Sequence, residues 1–284
     1  MCWPPGSEWL YAKLYMAPDL TDELIGGPLR ALTRELTDTR RVFSWFFLRF
    51  VDPDFHVRLR MRGDPATLTT SVLPRMCEWA QRLVEQRTLE RFALDTYEPE
   101  IERYGGPAGV LLAERAFAAD SVAVAELVAR REAILSEIDW AQLGAWTVDD
   151  LLDALGIRRD ERASWYRGRY AIYEHASEFR SARTLLRALL DSGDAPRGGH
   201  ARDLVTAILV QRRAALRDVA RGFDELTRRE QLSLPLADIA ASLVHMHCNR
   251  LCAAATDVES KIVGLAGLTA ASLVAWPPSR RPLV

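Results

Sequence analysis

Residues 44–62 read SWFFLRFVDPDFHVRLRMR. Ser44 to Val51 is a mostly apolar run of strand length. Asp52-Pro53-Asp54 supplies turn chemistry, and His56 to Arg62 alternates with period two as the returning strand. On that strand His56, Arg58 and Arg60 share one face, with alternate residues about 6.6 Å apart. Val57, Leu59 and Met61 take the other face and are assigned to the core. A His-x-Arg-x-Arg row suits an anion cradle. The same spacing also describes a solvated strand face whose arginines pair with neighbouring acids.

Working outward, Trp9 to Tyr15 (WLYAKLY) is rich in aromatics and predicts a strand. Residues 19–37 carry Leu24, Leu29, Leu32 and Leu36 at helical spacing, interrupted by Gly26-Gly27-Pro28. Asp64-Pro65 opens a helix carried by Leu68, Val72, Met76, Trp79 and Leu83. Phe92 to Tyr97 is a further strand candidate and runs into EPEIERYGG. From about Glu114 the texture becomes helical, with 3.6-period segments over 114–135, 147–155, 162–190, 201–226 and 236–255. Breaks fall at Gly156, Gly193 to Gly199 and Pro235, and DSGDAPRGGH (191–200) reads as the clearest flexible loop.

The fold class is therefore α+β, a small N-terminal sheet with helices followed by a mostly helical C-terminal half. A strand-rich part over 1–110 and a helical part over 111–284 are read as one domain. About 100 residues with a few strands would expose too much apolar surface alone.

Composition removes several function classes. The chain has 284 residues, 49% apolar and 27% charged, with 37 basic against 39 acidic residues and a net charge of −2. That balance excludes a basic nucleic-acid coat and an acidic disordered tail. Only Lys13 and Lys261 are lysines, so nearly all the positive charge is arginine. Coding bias accounts for most of that excess, yet arginine is also the side chain that grips planar carboxylates through two parallel hydrogen bonds. The start, MCWPPGSEWLYAK, lacks a basic and then apolar signal pattern. No run of about 18 uncharged apolar residues is seen, and Ile262 to Trp276 reads as too short to cross a bilayer. Cys2, Cys77, Cys248 and Cys252 form no CxxC motif, and Cys248 and Cys252 read as core residues on a helix. A reducing, cytoplasmic setting with no membrane partner is the expectation.

Two further segments could carry chemistry. In Tyr97 to Gly106 (YEPEIERYGG) three acids and an arginine lie between tyrosines, and the Gly-Gly pair lets the backbone turn sharply. At the end of a strand this segment could present Glu100 and Arg103 to a cleft, or simply form a turn with a local ion pair. In LVHMHCNRL (243–251), on a helix, His245 and Asn249 are i, i+4 neighbours, as are Met246 and Arg250. His245 and His247 diverge by about 200° around that helix, which argues against a shared zinc. A lone helical histidine can equally be a satisfied core or surface residue. The chain has no GxxxxGK[ST] loop, no GxGxxG after a strand, no HExxH, no GxSxG elbow and no basic patch interleaved with aromatics.

Five stretches taken in order resemble one family: WLYAKLY (9–15), FFLRFVDPDFHVRLRMRG (46–63), DTYEPEIERYGG (95–106), AERAFAADS (113–121) and SLVHMHCNRL (242–251). They are similar to the C-terminal domain of class I lanthipeptide dehydratases, which also occurs free-standing in thiopeptide biosynthesis. The resemblance implies a lyase, a glutamate eliminase acting on a precursor peptide. A separate tRNA-dependent subunit glutamylates Ser or Thr, and this domain removes glutamate to leave dehydroalanine or dehydrobutyrine. It implies substrate binding by Arg58, Arg60 and Glu100, and catalysis by Arg103 and His245. No cofactor, metal or direct nucleic-acid contact is implied. A pyridine synthase of similar fold is the nearest alternative, although those enzymes depart from the DPDxHxRLR and ERYGG patterns found here. A non-catalytic subunit that binds peptide or partner is the other.

Overall fold

The computed structural model describes residues 1–191, 199–252 and 256–275. The expected loop at 191–200 falls almost wholly outside them.

Four strands form one antiparallel sheet: β1 (Trp9–Tyr15), β2 (Ser44–Val51), β3 (Phe55–Arg62) and β4 (Arg91–Asp95), in the spatial order β2-β3-β1-β4. The 44–62 stretch is the expected hairpin, with Phe47 opposite Leu59 and Leu48 opposite Arg58. Between β1 and β2 lie α1 (Thr21–Leu24) and α2 (Arg30–Asp38), joined by one widened helical turn, Ile25–Leu29. Gly26-Gly27-Pro28 thus loosens the helix instead of interrupting it. Gly26 is required there, because a Cβ would stand 3.0 Å from the backbone of Ala129. Between β3 and β4 the same device joins α3 (Pro65–Thr67) to α4 (Leu73–Glu85), through Leu68–Val72.

The helical half comprises α5 (Pro107–Ala129), α6 (Arg131–Leu135), α7 (Trp140–Ala154), α8 (Arg159–Arg169), α9 (Ala176–Leu190), α10 (His200–Arg228), α11 (Leu236–Cys252) and α12 (Thr256–Ala275). The segment expected over 162–190 is split, because the chain leaves helical geometry at Tyr170 and restarts through a short 3-10 turn, Ile172–His175. Helix α12 exceeds the apolar stretch seen in the sequence, since the polar turn Asp257 to Lys261 extends it. Asp257–Ala275 is long and apolar enough by composition to cross a membrane. Ile262, Val263 and Ala266 are nonetheless fully enclosed, and Gly267 lies against Tyr166 and Ile172, where a Cβ would stand 2.8 Å from the side chain of each.

The pleat sorts the sheet into two faces. Val57, Leu59, Met61, Leu10, Ala12 and Leu14 pack against Leu24, Leu29, Leu32 and Leu36 and against Met76, Trp79 and Leu83 of α4. The opposite face carries Trp9, Tyr11 and Phe46, which join Phe117 of α5 and residues of α7 through α12 in a second core. Burying apolar area at about 25 cal/mol per Å² on both faces stabilises the sheet against the two helical layers.

Edge strand β2 has no fifth strand beside it. Its outward main chain is met by side chains instead: Phe47 N–H donates to Ser121 Oγ at 3.2 Å and Arg250 Nε donates to Phe47 O at 2.9 Å. Asn249 accepts from Arg49 N–H at 3.0 Å and donates to Arg49 O at 2.9 Å. Buried main-chain polar groups need partners, and α5 and α11 supply them.

Candidate functional site

Where the second face of the sheet meets α5 and α11, a cavity of about 390 Å³ opens. Its walls are Leu48 and Phe50 of β2, Arg58 and Arg60 of β3, Tyr97 to Glu100 with Arg103 and Tyr104, Val110 and Phe117 of α5, and His245, Met246 and Asn249 of α11. All five site residues named from the sequence line this one cavity. His56 does not.

Arg60 is buried, and its guanidinium sits 4.7 Å from the ring centres of both Tyr11 and Tyr97 and 5.4 Å from that of Phe46. Its Nε is buried without a hydrogen-bond partner, and no carboxylate among the described residues pairs with it. Desolvation pushes its pKa down, opposed by Tyr97 and Tyr11, yet a guanidinium stays charged in proteins. Burying a charge without a paired carboxylate costs several kcal/mol; contact with aromatic faces returns about 0.5–2 kcal/mol, and Glu100 on the cavity wall attracts it from further away. The protein thus maintains a caged cation facing a cavity, an arrangement chemically suited to an anion.

Arg58 is held differently. Its guanidinium stacks 3.3 Å above Phe50, and its Nε donates to His56 Nε2 at 3.2 Å. His56 Nδ1 lies 2.9 Å from the Asp54 carbonyl. Nε2 therefore accepts and Nδ1 carries the proton, so His56 is neutral. Burial pushes its pKa down, in keeping with that state. The row read as a three-residue cradle is two arginines and a supporting histidine, because β3 turns His56 under Phe50 and Tyr15. Beside them on β1, Lys13 is tied to Asp95 at 2.5 Å.

The segment after β4 turns as its glycines require. Gly105 has φ 82° and Gly106 φ 96°, the left-handed region that glycine enters without strain. A Cβ on Gly105 would also stand 2.7 Å from Ile239 of α11, so the turn sits directly on that helix. Glu100 Oε2 and Arg103 Nη1 are 2.9 Å apart. Both sequence readings of this segment hold together, since the local ion pair is itself on the cavity wall. Tyr97 donates its hydroxyl to buried Glu114 at 2.7 Å, which fixes the ring against Arg60. Burial pushes the Tyr104 hydroxyl up to about 12 and raises Tyr97 and Glu114 above their ordinary values.

On α11, His245 Nδ1 lies 2.7 Å from Glu259 Oε2 of α12, and both are partly exposed. A carboxylate on Nδ1 selects the tautomer that leaves the Nε2 lone pair free. Sequence reasoning missed Glu259, which stands on a helix whose pattern reads only as core. The i, i+14 spacing across two helices gives no local signal. His247 points the other way, as the helical angle required, into a fully buried cluster. There Asp120 takes His247 Nδ1 at 2.8 Å, Arg212 at 2.9 Å and Arg250 at 3.1 Å, and Arg212 also pairs with Asp150 at 2.9 Å. Although burial opposes it, the surrounding cations hold Asp120 well below the usual carboxylate range. This cluster bolts α5, α7, α10 and α11 together behind the cavity. Sequence reading missed it too.

Residues 9–270 match the family model described as lantibiotic biosynthesis dehydratase C-term. Subtilin biosynthesis protein SpaB of Bacillus subtilis is 26% identical over 92% of this chain and 25% of its own length. Nisin biosynthesis protein NisB of Lactococcus lactis subsp. lactis is 32% identical over 44% of this chain and 12% of its own. Among solved structures, the tRNA dependent lantibiotic dehydratase MibB from Microbispora sp. 107891 superposes with a TM-score of 0.86 at 25% identity, covering 95% of this chain and 28% of that one. The pyridine synthase TbtD, from thiomuracin biosynthesis, gives 0.62 at 17% identity, covering 95% of this chain and 99% of that one, a likeness of fold alone. The chain spans about a quarter or less of the length of the curated relatives it matches.

Proposed function

The chain belongs to the lantibiotic biosynthesis dehydratase C-terminal family, and from that premise we propose that it is the glutamate-eliminating component of a split dehydratase. Its substrate is a precursor peptide in which a separate tRNA-dependent subunit has esterified Ser or Thr with glutamate. Its product is dehydroalanine or dehydrobutyrine, and the setting is cytoplasmic. The whole chain serves as one elimination domain.

The observation that carries this reading is Arg60, a caged cation with no ion-pair partner among the described residues, opening into a cavity that also holds an arginine, an acid–arginine pair and a carboxylate-oriented histidine. A glutamyl ester linked through its α-carboxyl presents a free side-chain carboxylate and a free α-ammonium. Arg60 and Arg58 take the carboxylate in a forked, charge-assisted contact, and Glu100 takes the ammonium. His245 Nε2 removes the Cα proton of the esterified residue. The Cα–Cβ double bond forms as the Cβ–O bond breaks, and the electron pair leaves with the α-carboxylate of glutamate. Arg103, once Glu100 turns to the ammonium, is free to stabilise the enolate or the departing carboxylate. Each step uses a group on the cavity wall.

Purified protein incubated with a glutamylated peptide tests this. Parental protein releases glutamate, whereas His245→Ala and Arg103→Ala leave the ester intact. Parental rates in both variants contradict the assignment. Consumption only of an already dehydrated peptide selects the pyridine-synthase reading, and binding without turnover selects a non-catalytic subunit.

A further inference from the structure

The two edges of the sheet are treated differently. On β2 the outward main chain of Phe47 and Arg49 is met by Ser121, Asn249 and Arg250. The registers carry this alternation across the sheet. Phe47 lies opposite Leu59, Leu59 opposite Ala12, and Ala12 opposite Leu94; likewise Arg49, Val57, Leu14 and Phe92 are in line. In an antiparallel ladder each residue sends both its N–H and its C=O to one side, and neighbours in line alternate. Phe47 faces outward, so Leu59 and Ala12 bond each other and Leu94 faces outward again. The same holds for Phe92. Four main-chain groups on β4 therefore face away from the sheet, and no partner for them is found among the described residues.

Such an edge is a template for an added strand, and here the template is short and ends two residues before the cavity wall. Thr96 N–H is closed by Asp95 Oδ1 at 2.7 Å, and Tyr97 exchanges both its main-chain bonds with Trp3, each at 2.9 Å. An extended chain paired with Phe92 and Leu94 must leave the edge at Asp95. Two residues further on, Tyr97 to Glu100 form the cavity wall.

We propose that β4 is the docking edge for the peptide substrate, which adds as a fifth extended strand on Phe92 and Leu94 and delivers its modified residue past Asp95 into the cavity. The inference rests on the peptide-substrate reading above and adds how the peptide is held. Main-chain pairing with two alternate residues tolerates many side chains.

The test uses short synthetic peptides with one central O-glutamylserine, N-methylated at one residue at a time on either side. Affinity is read by competition with a fluorescein-labelled parent, and glutamate release is measured separately. The expected profile is a loss of about tenfold in affinity at alternate residues on one side only, with the residue between them within about twofold. Leu94→Pro removes one outward N–H without touching the β1 ladder, as proline on a solvent-facing edge position does. It should flatten the profile at one of those residues, with the circular dichroism spectrum unchanged. A flat profile in the parental protein overturns the proposal, and so does loss at consecutive residues. A dimer that falls apart in Leu94→Pro, with peptide affinity unaltered, assigns the edge to a second copy and also overturns it. Alternating affinity without any glutamate release would instead count against the elimination reading, so the two failures are distinguishable.

Discussion

Asn249 holds the main chain of Arg49 from both sides, accepting its N–H at 3.0 Å and donating to its carbonyl at 2.9 Å. One turn earlier on the same helix stands His245, and across the sheet from Arg49 run the arginines of β3. The Asn249 amide, together with the Arg250 Nε–Phe47 O bond, fixes α11 and His245 against the sheet that carries Arg58 and Arg60. Replacing it with leucine strands two buried polar groups at about 1–3 kcal/mol each. Asn249→Leu is expected to lower stability by about 2–5 kcal/mol in urea titration and to lower kcat more than it raises KM, because the helix bearing His245 loses its register.

Arg60 predicts a separation of stability from activity. A buried charge without an ion-pair partner carries a desolvation penalty of several kcal/mol, which an apolar side chain of similar length does not incur. Arg60→Met should therefore melt a few degrees higher than the parent by calorimetry, at about 2–4 °C per kcal/mol for a chain this size. Glutamate release by the same protein should be undetectable. A variant that is both destabilised and active would show that Arg60 is structural.

How much of this was legible in the sequence follows from the range of each signal. Alternation over 56–62 placed Arg58 and Arg60 on one face, because strand phase is local. It also placed His56 there, and only the folded sheet shows that Phe50 and Tyr15 close over it. Glu100, Arg103 and His245 stood out as candidates with open alternatives and took their roles through resemblance, and they line one cavity where the Gly105 turn sits against α11. Glu259 had no sequence signature, and Glu114 and Asp120 lay in the resembling stretch AERAFAADS with no role attached, since each acts on a residue brought near by folding. The widened turns at Ile25–Leu29 and Leu68–Val72 were likewise invisible, because a Gly-Gly-Pro or a run of Thr and Ser reads as a break or as ordinary helix.

His56 gives Arg58 its orientation. His56→Phe keeps the packing with Tyr15 and Phe50 but removes the acceptor of Arg58 Nε. A hydrogen bond from a charged donor contributes about 1.5–3 kcal/mol, so KM for glutamylated peptide is expected to rise by roughly tenfold to a hundredfold. Unfolding temperature should change little. An unchanged KM would show that stacking on Phe50 alone positions the guanidinium.

Glu259 acts through His245. Glu259→Gln keeps the size but no longer selects the Nδ1–H tautomer, and kcat is expected to fall by about tenfold to a hundredfold with KM within about twofold. Stopped-flow measurement of glutamate release reads both. Equal loss in kcat and gain in KM would place Glu259 in substrate binding instead.

Asp149 predicts the pH dependence of the fold. Burial pushes its carboxyl up to about 6, opposed by Arg162 at 3.3 Å. A folded-state value above the unfolded one, about 3.9, means the native protein binds the extra proton between those values. Stability from this group is fully present below about pH 4 and is lost as pH rises through about 6. Asp149→Asn, which mimics the neutral acid, should gain on the parent by about 2–3 kcal/mol between pH 4 and pH 7 in denaturant titrations. A constant difference across that window contradicts the account.

The most direct measurement is the stoichiometry of products from a peptide carrying a single O-glutamylserine. Purified protein is mixed with the peptide, free glutamate is quantified enzymatically, and the peptide is read by mass spectrometry. The account expects one glutamate released for each dehydroalanine formed, abolished by His245→Ala. Recovery of the peptide with its glutamyl ester intact, or hydrolysis back to serine with glutamate released but no dehydroalanine, would contradict it.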